Sequence, residues 1–449
     1  MKTRLFGWWV GCWVLAGSGG LLAAAEGSAP GLTSGPVRLS GEVVQQWAAR
    51  MRTQHPGLRA LAARVRAAEH ATNAVRTWED PQFRLGGFVA SGRGPRLEEE
   101  GDLSYGVEQK LPLFGRPEAA RRVAQADAGA TLARQEAQFE VWRRDLARLL
   151  FQAAAEERWL ELGRQDLAWL DAMVVMAEER YRAGTASQVD VLRLQSERSR
   201  RAERLRTEAR QREQTAVEVN RLLAGSAGSG LPSLVLPPVA PAVGEVEGLF
   251  RQALAQEPRL RVLAREIEAA EAQVAVTRKA RWPEVMAGVE GRQYSGDGGF
   301  REGLFTVGLS LPWLNAGRYR SEEARDRARL EAVELEAKDQ AQALQAELRR
   351  LVTALDAARR EALLQRDDLM PRAQLALESA RAGWLNGRGL FVDVMDARRM
   401  WLESQWSLVR AVAEQHQVLS DLALACGVTD FEAVLALAQA GAGGKETER

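Results

Sequence analysis

Few residues in this chain are of the types that make or break bonds. Its three histidines, His55, His70 and His416, are far apart and lack the spacing of metal ligands. Of its two cysteines, Cys12 sits in an apolar N-terminal run and Cys426 stands alone, so the chain without that run has no disulfide. The carboxylate pair Glu156-Glu157 lies within a heptad stretch and lacks the setting of a hydrolytic site. Gly225-Ser-Ala-Gly-Ser-Gly230 has no strand before it and no lysine after it, which marks a flexible linker rather than a phosphate loop. Arginines across 198–212 alternate with Glu197, Glu203, Glu208 and Glu213, the pattern of a solvated helix face rather than a nucleic-acid surface. What remains is charge placed along a path. Glu, Lys, Thr and Ser recur on short alternating segments, and Asp367-Asp368 forms an acidic pair. Such groups attract, screen and admit solutes without reacting with them. The sequence predicts neither an enzyme nor a bound cofactor or metal.

The chain has 449 residues, with Lys+Arg 61 against Asp+Glu 60. Residues 1–25 hold a basic start at Lys2 and Arg4, an apolar run over 5–22, and Ala23-Ala-Ala25, which together read as a signal peptide cleaved after Ala25. The rival is a retained membrane anchor, because the run nears the lower length of a helical span. Lipidation at Cys12 is disfavoured, since no leucine stands three residues before it. Without 1–25 the chain carries 59 basic and 60 acidic residues, a balance that argues against nucleic acid as a partner. Hydrophobic residues make up 46% but aromatics only 6%, which favours closely packed long helices. Past the N-terminus no apolar stretch is long enough for a helical span, although β-barrel strands escape such a scan.

The chain also repeats itself. Gln54-His-Pro-Gly-Leu58 returns as Gln256-Glu-Pro-Arg-Leu260, and Trp78-Glu-Asp-Pro81 is answered by Trp282-Pro283. Leu111-Pro-Leu-Phe-Gly-Arg116 returns as Leu311-Pro-Trp-Leu-Asn-Ala-Gly-Arg318. Arg182-Ala-Gly184 returns as Arg381-Ala-Gly383, and Val189-Asp-Val-Leu192 as Val392-Asp-Val-Met395. Ordered offsets of 199 to 204 residues indicate duplication rather than shared helical composition. The resulting plan is an N-terminal extension over 26–39, a first repeat over 40–224, a Gly/Pro-rich linker over 225–244, a second repeat over 245–440, and a tail over 441–449.

Each repeat predicts one helix (40–78, 246–282), two short strands, a very long helix, a glycine-marked turn and a shorter helix. In the first repeat Leu132, Phe139, Leu146, Ala153, Leu160, Leu167 and Val174 recur every seven residues, the coiled-coil spacing. At 1.5 Å per residue a helix over 117–180 would span roughly 96 Å. The second long helix, over 320–380, carries Leu344, Leu348, Leu351 and Leu355 and should kink at Pro371.

The strands are predicted at about 83–91, 103–111, 284–291 and 304–311. Each alternates apolar with small or polar residues and has the nine-or-so residues that a tilted strand needs to cross a bilayer. Four strands close no membrane barrel, and open edges are excluded from lipid, so a membrane reading requires several chains to share one barrel. The soluble alternative is two hairpins packed on a globular end.

On these features the chain resembles the TolC-type outer membrane efflux family. The resemblance is carried by the duplicated plan, by the two Leu-Pro segments at 111–116 and 311–318, and by the turns from Tyr181 to Leu192 and from Gly387 to Met395. It covers about 40–430 and rests on the order of many weak motifs rather than on one. It implies a mainly α fold with a small β part: a homotrimer whose twelve strands form an outer-membrane barrel continuous with a periplasmic α-helical barrel. It further implies partners: outer-membrane lipid, a periplasmic adaptor and an inner-membrane transporter. The chain would be the passive exit duct of a tripartite efflux pump. A type I secretion channel for peptides or proteins is the alternative within the family, and a periplasmic coiled-coil scaffold or adaptor the alternative outside it. No residue selects among toxic compounds, metal ions, peptides or proteins as cargo.

Under this resemblance Glu108, Lys110, Glu284, Glu290, Thr306 and Ser310 are lumen-facing candidates. Asp367, Asp368 and Arg381 are candidates for a periplasmic entrance, where acidic pairs would form a cation-attracting collar. Arg182, Gly184, Thr185, Asp190, Gly387, Leu390 and Asp393 are candidates for the hairpin tips and adaptor contact, with Asp190 and Asp393 bracing the turns.

Overall fold

A computed structural model describes residues 35–87, 102–243, 246–294 and 299–443. The expected signal peptide, most of the expected N-terminal extension, the far end of the expected first strand, much of both strand-connecting loops and the last residues of the tail lie outside the described residues.

The N-terminal helix of each repeat is divided in two by its own repeated proline. Helices α1 (Gly41–Gln54) and α2 (Pro56–Ala74) meet at His55, and α5 (Val246–Gln256) and α6 (Pro258–Lys279) meet at Glu257. The expected unbroken helices are thus corrected. A residue before proline is pushed out of the helical region, and both junction residues are extended, with ψ of 122° and 131°. Each then caps the following helix: His55 Nδ1 accepts from Gly57 N at 3.1 Å and a Glu257 carboxylate oxygen from Leu260 N at 2.6 Å.

The long helix α3 (Arg116–Arg182) runs 67 residues and returns as α4 (Gln188–Leu222). In the second repeat, α7 (Ala316–Leu364) is followed by a π-helical turn over Gln365–Leu369 and then by α8 (Met370–Leu385), before α9 (Phe391–Ala425) returns and α10 (Phe431–Gly443) ends the fold. The irregular turn therefore precedes Pro371 rather than centring on it. A proline clashes with the carbonyl four residues back, and that residue, Asp367, lies within the π turn. One residue more separates Arg318 from Gly387 than Arg116 from Gly184, and a π turn is where a helix takes up such an insertion.

The main core lies at mid-height. Phe151, Leu150 and Leu146 of α3 meet Leu348 and Leu351 of α7, Leu419 of α9, Met51 of α1 and Leu249 of α5, all buried. The linker belongs to this core: Leu234 is 2% exposed, and β4 (Leu234–Val235) pairs in parallel with β1 (Val37–Arg38). Gln415 holds the linker further on, accepting from Ala240 N at 2.9 Å and donating to its carbonyl at 3.1 Å. His416 donates through Nε2 to the Pro238 carbonyl at 3.0 Å and stacks on Phe151, which makes it a core histidine. Burial pushes the Cys426 thiol up to about 12, so it packs as a small hydrophobe.

Candidate functional site

The strands β2 (Gln82–Gly87), β3 (Asp102–Leu111), β5 (Val285–Tyr294) and β6 (Phe300–Leu309) form one antiparallel sheet in that order. Strand side chains alternate between faces, and the register aligns like with like. Phe83, Leu85, Leu103, Tyr105, Val107, Val289, Phe305, Val307 and Leu309 share one face. All of them are exposed, Phe305 at 72% and Phe83 at 67%. The opposite face carries Arg84, Glu108, Lys110, Glu290, Arg292, Glu302 and Thr306. Of the lumen-facing candidates, Glu284 and Ser310 sit just beyond the strand ends and close the sheet's base, Glu284 N donating to Ser310 Oγ at 2.6 Å.

The charged candidates are paired. Arg84 binds Glu108 and Arg116 binds Glu284, while Lys110 reaches Glu79 at 2.9 Å and Glu284 at 3.9 Å. Arg292 lies 3.2 Å from Glu302 and 3.6 Å from Glu290. Below the strands, Phe114 and Gly115 both adopt positive φ, which swings the chain from strand into α3. Phe114 stacks on Trp282 at 5.2 Å, and Trp78, Trp282 and Trp313 are all more than half exposed there.

The hairpin turns lie at the other end of the long helices. Gly184 and Gly387 end them with φ of +73° and +69°, the left-handed conformation that favours glycine at a helix C-terminus. These two, not the Gly184 and Gly383 of the repeated Arg-Ala-Gly, are therefore equivalent. Counted to these glycines the two long stretches differ by one residue, so the segment after Gly383 is the last turn of α8 rather than an added one. Gly389 packs on Gly383, whose carbonyl accepts from Arg388 N and Gly389 N. That last turn carries Trp384, which with Leu170, Met173, Val191, Leu194, Phe391 and Val394 forms a cluster joining both tips. Arg180 lies 4.6 Å from the Trp384 ring and donates to its carbonyl at 3.1 Å.

Ser187 caps α4, its Oγ accepting from Val189 N at 3.2 Å. Asp393 accepts from Leu390 N at 3.3 Å and so braces the second turn. Asp190 only adds negative charge to the first turn of α4. Arg182, Thr185, Leu390 and Asp393 are exposed at the tips. Asp367 and Asp368 occupy the π turn, where Asp367 pairs with Arg366 at 2.7 Å and Asp368 with Arg372 at 2.7 Å. The Arg366 guanidinium holds the Asp367 carboxyl below its ordinary value. Arg381 is exposed and has no ion pair among the described residues.

A buried charge cluster went unrecognised in the sequence. Asp166 of α3 lies 3.1 Å from Arg398 of α9 and 3.7 Å from Arg201 of α4, and all three are at most 7% exposed. Arg398 is sandwiched between Trp169 and Trp401, and Arg201 stacks on Trp406. Burial holds the Asp166 carboxyl above its ordinary value, against the pull of Arg398. The available signal was Gly163 within the heptads: a Cβ there would stand 1.9 Å from Arg201 Nη2. Arg201 thus departs from the solvated face expected of 198–212, as does Arg212, which pairs with Glu157 at 3.2 Å. Glu156 is likewise buried, accepting from Thr215 Oγ1 at 3.0 Å. No group of three or more His, Cys, Asp or Glu able to hold a metal occurs among the described residues.

No helix among the described residues is long and apolar enough to cross a membrane. The sequence profile described as "Outer membrane efflux protein" matches residues 47–225 and 249–428. No curated protein sequence matches the chain. Among solved structures, a membrane protein from Pseudomonas aeruginosa is 20% identical with a TM-score of 0.74, over 87% of this chain and 91% of that one. The outer membrane protein VceC of Vibrio cholerae is 18% identical with a TM-score of 0.72, over 86% and 96%. The MtrE outer membrane channel of Neisseria gonorrhoeae, in its open state, is 17% identical with a TM-score of 0.71, over 86% and 89%. At these identities the likeness is one of fold.

Proposed function

Because the chain belongs to the outer membrane efflux protein family, we propose that it is the passive exit duct of a tripartite pump, set in the outer membrane and reaching through the periplasm. One observation carries the reading: a four-stranded sheet with one face mainly apolar and largely exposed, one face polar and ion-paired, and edges at β2 and β6 unpaired among the described residues. An isolated apolar face of this kind has no place in water, and unpaired edges have none in lipid. Both demands are met when three chains join β6 of one to β2 of the next in a twelve-stranded barrel. The apolar face then meets outer-membrane lipid, and the polar face lines the lumen with Glu108, Lys110, Glu284, Glu290, Thr306 and Ser310. The exposed tryptophans beneath the strands fit an interfacial belt.

In this arrangement α3, α4 and α7–α9 line a periplasmic tube. Asp367, Asp368 and Arg381 stand near its entrance. The turns that bear Arg182, Gly184, Thr185, Asp190, Gly387, Leu390 and Asp393 face the adaptor, through which an inner-membrane transporter drives export. The chain performs no bond chemistry of its own; it conducts. The MtrE channel has been solved in an open state, and opening here would require the tips held by Trp384 and Arg180 to part. To test the reading, the protein is extracted from isolated outer membranes in mild detergent and weighed unheated by light scattering. A particle of three chain masses is expected; a monomer in the soluble periplasmic fraction would end the proposal.

A further inference from the structure

We propose that the strand-lined part of the conduit is charge-compensated, so that it passes cations and anions without strong preference. The inference rests on the polar sheet face being the lumen. On that face the described strand side chains comprise three basic groups, Arg84, Lys110 and Arg292, and three acidic ones, Glu108, Glu290 and Glu302. Each basic group has an acid beside it within the same chain: Arg84 with Glu108, Arg292 with Glu290 and Glu302, Lys110 with Glu79 and Glu284. At the base Arg116 shares Glu284.

With these pairs internal to one chain, four basic groups (Arg84, Lys110, Arg292 and Arg116) face five acidic ones (Glu108, Glu290, Glu302, Glu79 and Glu284), so among the described residues each copy adds one net negative charge rather than a ring of several. A pore selects between ions through the field of uncompensated rings, and paired charges a few ångströms apart cancel within a Debye length of about 8 Å. The acidic collar expected at Asp367 and Asp368 is compensated in the same manner, by Arg366 and Arg372. Exposed Arg381 adds positive charge nearby and so further opposes a cation preference.

The test is the reversal potential of the full-length trimer in planar bilayers under a potassium chloride gradient. Potassium and chloride permeabilities within about twofold of each other are expected. Arg84→Gln with Arg292→Gln leaves carboxylates uncompensated and should raise the potassium preference by about threefold or more. Glu108→Gln with Glu302→Gln should move it towards chloride, and provides the reading if the first variant fails to assemble. A wild-type channel favouring potassium by about tenfold, or variants that leave the ratio unmoved, would overturn the compensation while leaving the duct intact. Trimeric particles without conductance, both wild-type and with the tips loosened by Trp384→Ala, would overturn the duct reading and this inference with it.

Discussion

The mid-height core and the strand sheet obey opposite rules of burial. In the core Phe151, Leu348 and Leu419 are wholly buried, in a cluster drawn from eight helices and the linker, all within one chain. In the sheet Phe83, Phe305 and Val307 are as apolar yet more than 60% exposed. One region is finished by its own chain, whereas the other leaves an apolar face and two edges that, in the arrangement proposed above, lipid and further copies complete. The difference teaches where to look for assembly: hydrophobic surface left over after folding marks what the molecule meets.

Substitutions should separate the two regions. The largest effect is expected for Phe151→Ala, a loss of about 3–5 kcal/mol, measured by urea unfolding of the detergent-solubilised protein. Assembly should suffer only as a consequence of lost folding. Replacing Asp166 with Ala strands Arg201 and Arg398 in the interior and should remove about 3 kcal/mol. If Asp166→Ala is as stable as wild type, the cluster is not a structural tie between the hairpins. On the sheet, Phe305→Arg should cost about 2–4 kcal/mol of membrane insertion if it sits near mid-bilayer. Its readout is the yield of unheated trimer in outer membranes, with helical circular dichroism unchanged; normal yield would contradict a lipid-facing side chain. Ser187→Ala removes one helix cap and should lower stability by about 1 kcal/mol, with protease nicking at the first tip as the sensitive assay.

A pH effect distinguishes the core further. Burial holds the His416 imidazole below its ordinary value. The neutral ring is therefore favoured in the folded chain, and the stability it contributes is full above about pH 6.5. It is lost as pH falls through the folded value, because the unfolded chain takes up the proton first. His416→Gln should flatten the acid limb of a stability–pH curve; an unchanged limb would assign acid sensitivity elsewhere.

Much of this architecture was legible in the residues. Heptads across α3 follow directly from side-chain period, and strand alternation at Leu103 to Leu111 from a period of two. The seam nevertheless drifts: Leu146, Ala153 and Leu160 are buried, but Leu132 is 45% exposed, and lower down Leu170, Met173 and Ala177 replace Leu167 and Val174. A helix of 3.6 residues per turn falls out of step with a seven-residue repeat over this length. The proline junctions at His55 and Glu257 were misjudged because a helical pattern on both sides conceals a break that a single dihedral makes.

By itself the sequence determined the duplication, the long helices, the two-faced strands and the glycine turns, since each depends on neighbours a few residues away. Only the tertiary structure decided that Asp166, Arg201 and Arg398 meet, that Trp384 locks two tips together, and that Arg84, Glu108, Lys110, Glu290, Arg292 and Glu302 find partners. Those contacts join residues up to 232 positions apart, and no local period encodes which side chains three packed helices will bring face to face.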